Sequence, residues 1–246
     1  MSSVPIELPL KAAEAVKLAE LVFEHAEGRP LSDDLRLRLS SRVEALGLSS
    51  LTVLAGSLER DPIHPSAYYV AVDALGGPRP QPLLLRMATA SSPASGLFPN
   101  ALLICRTRTA PGTEVVINAI PFATTDHAHL RTFAEQVNPA FLPRPQGTQP
   151  AIAAGNRHPE ICLPAIFEAY RTILRNLGVN MASTPQLSAT RESTTDEALS
   201  RRDGENPVAA GHTRVSIRQL YHAGLWAAIR AGWHEGYNAE ADHIII

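Results

Sequence analysis

The chain has 246 residues, 45% of them hydrophobic and 19% charged, so it is long enough and apolar enough to bury a sizeable core. A formal net charge of −2 and only 5% aromatic residues exclude the basic, aromatic-studded surface that attracts nucleic acid or anionic membranes. No apolar run approaches the roughly 20 residues that cross a bilayer, and Met1–Leu10 lacks the basic start and apolar centre of a signal peptide, so a cytoplasmic protein is expected.

Residues 11–26 place Ala, Val, Leu and Phe at helical spacing and run into Gly28. Ser32 caps a second helix over about 33–46, which stops near Gly47. Leu51–Ala55 and Tyr68–Val72 read as strands, the second for its Tyr and Val. Pro and Gly punctuate 76–100, leaving one strand at Leu83–Met87. Ala101–Arg106 and Glu114–Ile120 follow as strands around a Pro111-Gly112 turn. Thr124 or Thr125 is expected to cap a helix ending near Val137.

Four prolines in Asn138–Pro150 deny that stretch regular structure and make it the expected linker. The expected organisation is an α+β N-terminal region over 1–137, a Pro-rich linker over 138–150, and a different grammar over 151–246. There a short strand, Ala151–Ala154, leads to a helix through Leu177, with Ile166, Phe167, Tyr170, Ile173 and Leu174 on one face. A strand within Val179–Thr190 and a polar loop from Arg191 to His212 come next, the loop holding a short helix near 195–201. Thr213 caps a long helix, and Ala241–Ile246 is the last strand. Strands alternating with helices predict the α/β class: a β-α-β-α-β unit of parallel strands with right-handed crossovers. The last strand would be an apolar edge. A second copy of the chain forming a homo-oligomer, the N-terminal region, or a further part of a larger fold would be needed to cover it.

Functional groups of α/β barrels sit at the C-terminal ends of strands. Three groups fall there: Gly155-Asn156-Arg157; Gln186, Ser188, Arg191 and Glu192; and Asp242-His243. Arg157 could bind a carboxylate with its two-pronged guanidinium, or serve as a surface salt-bridge arginine at a helix entry. Gln186, Ser188, Arg191 and Glu192 could line a polyol site, or form an ordinary polar loop. Asp242 and His243 could supply a base and a metal ligand, or a structural pair at a sheet edge. Strand neighbours point to opposite faces, so one site takes both only at a bend or a rim. His158-Pro-Glu160, His234-Glu235 and Asp126-His127-Ala-His129 are weaker candidates, because their spacing does not favour a shared helix face. Cys105 and Cys162 read as buried reduced thiols, with no Cys-x-x-Cys motif. Gly-rich phosphate loops and serine-nucleophile elbows are absent from the sequence.

The segment Trp226-x6-Trp233-x-Glu235-Gly236-Tyr237-x-Ala239-Glu240-Ala241-Asp242-His243 resembles the tagaturonate epimerases, metal-dependent enzymes that interconvert tagaturonate and fructuronate. Gln186-x-Ser188-x-x-Arg191-Glu192 and Gly155-Asn156-Arg157 are similar to family segments in the same order, with Asn156 standing where the family has Asp. The resemblance covers about residues 151–246. It implies the first part of a TIM barrel and a small sugar acid as substrate. Asp242 would be the proton acceptor, and His243 a ligand of a divalent metal cation. The family's proton donor and other metal ligands come from later strands. The inverted carbon lies β to the ketone, so enolisation does not acidify its C–H. A base at its hydroxyl opens a retro-aldol route, and that role falls to Asp242. Other readings are a non-catalytic or truncated relative that binds a sugar acid or a partner chain, and an unrelated α/β enzyme such as an aldolase.

Overall fold

The computed structural model describes residues 12–23, 31–48, 51–73, 82–92, 97–110, 112–121, 126–148, 151–156, 159–179, 182–187, 193–194, 215–238 and 240–241. The expected helix at 195–201 lies outside them. The chain is a mixture of helices and sheets that divides into two compact units, Met1–Thr125 and Asp126–Ile246.

In the first unit, α1 (Ala12–Phe23) and α2 (Asp33–Ala45) precede the strands. Ser32 caps α2, its hydroxyl accepting the Leu35 N–H at 3.3 Å. Gly47 follows the helix with φ of 57°, a left-handed turn that costs glycine nothing. Six antiparallel strands follow: β1 (Leu51–Val53), β2 (Glu59–Arg60), β3 (Ser66–Asp73), β4 (Pro82–Thr89), β5 (Leu102–Arg108) and β6 (Glu114–Pro121). They run β1-β3-β4-β6-β5, with β2 also on β3.

Period-two alternation builds the core. Ala67, Tyr69 and Ala71 on β3, Leu85 and Met87 on β4, and Val115, Ile117 and Ala119 on β6 share a face. They pack with Ala15, Leu18 and Ala19 of α1 and Leu39 and Val43 of α2. Each buried Val, Leu, Ile or Met among them contributes about 1.5–3 kcal/mol by leaving water. The intervening residues Tyr68, Val70 and Leu84 are buried too. That is why β3 and β4 read as unbroken apolar runs.

The sequence did not announce β2, whose two residues are charged. Glu59 is buried against Arg36 of α2 at 3.1 Å, and Arg36 also donates to the Leu58 carbonyl at 3.2 Å. After β2, the buried Asp61 carboxylate accepts the N–H groups of Ile63 at 2.9 Å and His64 at 3.0 Å. This closes the Pro-rich turn into β3. At the other edge β5 is less covered. Leu102 and Leu103 are 44% and 55% exposed, and the register slips between Leu103 and Cys105. Cys105 and Cys162 are free thiols, half-buried rather than fully buried.

The second unit begins with α3 (His127–Val137). Its cap is Asp126, accepting the His129 N–H at 2.8 Å, rather than Thr124 or Thr125, which lie outside the described residues. A charged carboxylate suits the helix dipole better than a hydroxyl. The expected boundary at 137 and the observed division at Thr125 differ by this helix, which packs on a later helix of the second unit. The proline stretch after it is also more than a linker. Pro139–Phe141 form a 3-10 turn with Phe141 fully buried. The Arg144 N–H donates to the Tyr237 carbonyl at 2.9 Å, and the Gln146 N–H to Asn238 Oδ1 at 3.2 Å. Prolines exclude regular structure but leave the other backbone groups free to bond elsewhere.

Next come β7 (Ala151–Asn156), α4 (Pro159–Leu177), β8 (Ala182–Leu187), β9 (Ser193–Thr194), β10 (Val215–Ser216), α5 (Ile217–Ala231) and β11 (Glu240–Ala241). β7, β8 and β11 form a parallel three-stranded sheet in the order β11-β8-β7. β9 and β10 make a separate two-residue parallel pair inside what the sequence reads as a polar loop and a helix entry. The parallel sheet is open among the described residues, and a closed barrel is not formed by them. The expected strand Ala241–Ile246 is described only through Ala241.

α4 and α5 pack on each other and on β8. Phe167 of α4 stacks on Trp233 at 5.5 Å and meets Tyr237 edge-on at 5.3 Å, an aromatic centre that is fully or nearly fully buried. The Tyr170 hydroxyl donates to the Ile152 carbonyl at 2.7 Å, fixing α4 to β7. The Arg171 guanidinium donates to the carbonyls of Ala231 and Gly232, supplying a cation to the C-terminus of α5. No helix among the described residues is long and apolar enough to cross a membrane.

Candidate functional site

The parallel register brings three distant segments to one end of one sheet. Gly155 of β7 lies beside Gln186 of β8, and Gln186 beside Glu240 of β11. One step on, Asn156, Leu187 and Ala241 form the next row. All three strands run the same way, so this row is their common C-terminal edge.

Of the residues expected to carry chemistry, Gln186 is placed by its backbone in that row. Arg157, Ser188, Arg191, Glu192, Asp242 and His243 lie outside the described residues. Arg157, Ser188 and Asp242 are the residues that follow Asn156, Leu187 and Ala241 in the chain.

The segment leading to β11 is well defined. After α5, Gly232 takes φ of 57° and Gly236 takes φ of 83°. Between them the Trp233 indole N–H donates to the Gly236 carbonyl at 2.7 Å. A Cβ on Gly236 would stand 2.5 Å from Gln146 Nε2 and 2.7 Å from Arg144 Nε. The backbone there is thus held between an indole and two polar side chains. Trp233, Gly236 and Tyr237, part of the Trp226–His243 segment, directly precede β11 in the chain.

Of the weaker candidates, Asp126, His129 and His234 make contacts within the second unit. The His234 ring lies 5.1 Å from the Phe141 ring, and Glu235 is exposed. His158 lies outside the described residues. Asp126 caps α3 and meets His129 Nδ1 at 2.8 Å. No group of three or more His, Cys, Asp or Glu side chains among the described residues is placed to hold a metal ion.

A titratable cluster lies where α3 meets α5, joining His127, already a weak candidate, to Tyr221 and His222, which the sequence did not single out. The His127 ring is 5.0 Å from Tyr221 and 6.2 Å from His222. Burial, then the neighbouring His127, push the His222 imidazole down to about 4, against the pull of Asp126. His127 is lowered by burial first and then by Arg131 and Arg218. Burial raises the Tyr221 hydroxyl. The only sequence signal was a histidine within an otherwise apolar helix face. Its partner is 95 positions away (222 − 127), so no local pattern joins them.

No family model matches the chain, and no curated protein does either. Among solved structures, a glycerol-complexed crystal structure of the fructuronate-tagaturonate epimerase UxaE from Cohnella laeviribosi is similar, with a TM-score of 0.47 and 18% identity. The match covers 85% of this chain and 33% of that one, so the chain spans about a third of that enzyme's length.

Proposed function

We propose that residues 151–246 form the first part of a (β/α) barrel and one side of a site that epimerises a keto hexuronic acid of the tagaturonate or fructuronate type. The observation that supports this is the register. Three segments that resemble the epimerase family, separated by long stretches of sequence, run up to one edge of one parallel sheet. In sequence, Arg157, Ser188 and Asp242 are the residues that come directly after Asn156, Leu187 and Ala241. The order β7, β8, β11 advances in one direction with both helices against β8, the winding from which barrels are built.

In this reading Asp242 takes the proton of the substrate hydroxyl. Arg157 holds the substrate carboxylate, and Gln186, Ser188, Arg191 and Glu192 hold its hydroxyls. His243 would ligate a divalent cation, an assignment that rests on the sequence resemblance. Such a cation supplies Lewis-acid stabilisation of developing oxyanion charge. The site's precision would depend on the Trp233–Tyr237 turn, which sets the direction of β11.

The test measures metal content and tagaturonate epimerisation on one purified sample, with added Mn²⁺, Ni²⁺ or Zn²⁺. The expected result is turnover with bound metal, and a loss of about 10²–10⁴ in kcat for Asp242→Asn, the span of a general base. Normal turnover by Asp242→Asn would remove the assigned base. A sample with neither metal nor turnover would favour a non-catalytic relative. Calorimetric titration with tagaturonate would then show whether it still binds a sugar acid.

A further inference from the structure

We propose that the seam between α3 and α5 is an acid-sensitive latch, in which protonation of His127 and His222 releases the first turn of α3 from α5. This goes beyond the epimerase reading and does not depend on it.

The argument begins with geometry. His127 is the first residue of α3, and its ring packs between Tyr221 and His222 at 5.0 and 6.2 Å. Its Nε2 atom is out of contact with solvent and makes no hydrogen bond. A neutral imidazole can leave one nitrogen as an idle acceptor, but an imidazolium has two N–H donors. Protonation would therefore create a donor facing no acceptor, next to a second imidazole that titrates in the same direction.

Among the described residues, the charged groups around His127 do not compensate. On α3 they are Asp126, His129, Arg131 and Glu135; on α5 they are Arg218 and Tyr221. Arg131 and Arg218 add positive charge against His127. Asp126 is the nearest counter-charge, but its oxygens already take the His129 N–H and the His129 ring nitrogen, both at 2.8 Å. Glu135 is engaged by Arg131 at 2.8 Å. The Pro139–Phe141 turn and β10, which also pack on these helices, contribute no titratable side chain. Glu168, Arg171 and Arg175 of α4 belong to the far end of α5, where Arg171 binds the Ala231 carbonyl.

The sign follows from proton uptake. Both histidines are held below the free imidazole value of 6.5, His222 at about 4. The undocked state therefore binds more protons than the docked one. Docking is at full strength above the free value and weakens as pH falls from there towards about 4. Leu130, Phe133, Ala134 and Val137 are buried further along α3, so the loss starts at the N-terminal turn.

The experiment is amide hydrogen exchange on the full chain at about pH 7 and about pH 4.5, corrected for intrinsic rates, with α4 as internal reference. Protection in the first half of α3 should fall by up to about a hundredfold relative to α4, as the displaced titration of His222 implies. The double variant His127→Gln, His222→Gln should keep that protection at the lower pH. Equal change in α3 and α4, or an undiminished loss in the double variant, would overturn the proposal. Ring-proton NMR titration of the unaltered chain supplies a check that needs no variant. Titration of His222 below about 5 supports the latch, and titration near 6.5 defeats it.

Discussion

The two units keep charge in their interiors by opposite means. In the first, the Arg36 guanidinium and the Glu59 carboxylate meet at 3.1 Å, with side chains 11% and 4% exposed. In the second, His127 and His222 enter a helix seam as neutral rings, and burial keeps them so. A matched pair carries its own counter-charge and is sensitive chiefly to loss of a partner. A neutral imidazole has no such guard and is sensitive to the proton concentration. One unit is thus vulnerable to substitution where the other is vulnerable to acid.

The sharpest way to test the second unit apart from its histidines is Phe167→Ala. This removes the ring that joins α4 to Trp233 and Tyr237. It should cost about 3–5 kcal/mol in chemical denaturation, since a buried aromatic leaves a cavity that its neighbours only partly fill. A cost below about 1 kcal/mol would mean the aromatic centre is not what holds the unit. Glu59→Ala probes the first unit in the same assay. Removing the buried carboxylate that Arg36 meets should cost about 3 kcal/mol, and an effect near zero would break the contrast between the units. Gly236→Ala is smaller. A left-handed φ of 83° and a Cβ crowded by Gln146 and Arg144 predict a loss of about 1–2 kcal/mol. If Gly236 aims β11, that variant should also lower epimerase turnover by more than its stability loss explains.

Much of this architecture is visible in the chain. The helices α1, α2, α4 and α5 follow from apolar spacing, and Ser32, Gly47 and Gly178 stand where the ends are. β3 and β4 follow from Tyr, Val and Leu content. What stayed hidden was non-local. β2 consists of Glu59 and Arg60, and only pairing with β3 makes it a strand. Asp126 rather than a threonine caps α3, because three adjacent candidates compete and local pattern does not rank them. The proline stretch looked like a spacer, since its bonds to Tyr237 and Asn238 span about ninety residues. For the site, the sequence marked three segments, and the parallel register aligns Gly155, Gln186 and Glu240 among them. Of the motif around Trp233, the residues Trp233 and Tyr237 pack in the aromatic centre, while Asp242 and His243 lie outside the described residues. Of the seam histidines, His127 falls in the Asp126-His127-Ala-His129 group, and no local pattern joins it to His222.

The β5 edge has a consequence for how the protein behaves in a tube. Leu102 and Leu103 are exposed on a seven-residue edge strand, the kind of surface on which chains add to one another. Two features stand against that: the slip in register beside Leu103, and the positive charges of Arg106 and Arg108 on the same strand. The charges act over a distance that shrinks from about 10 Å at 0.1 M salt to about 3 Å at 1 M. Concentrated salt therefore removes much of the electrostatic guard while leaving the leucines bare. Self-association through that edge is therefore expected to grow with salt concentration, which light scattering along a salt series checks.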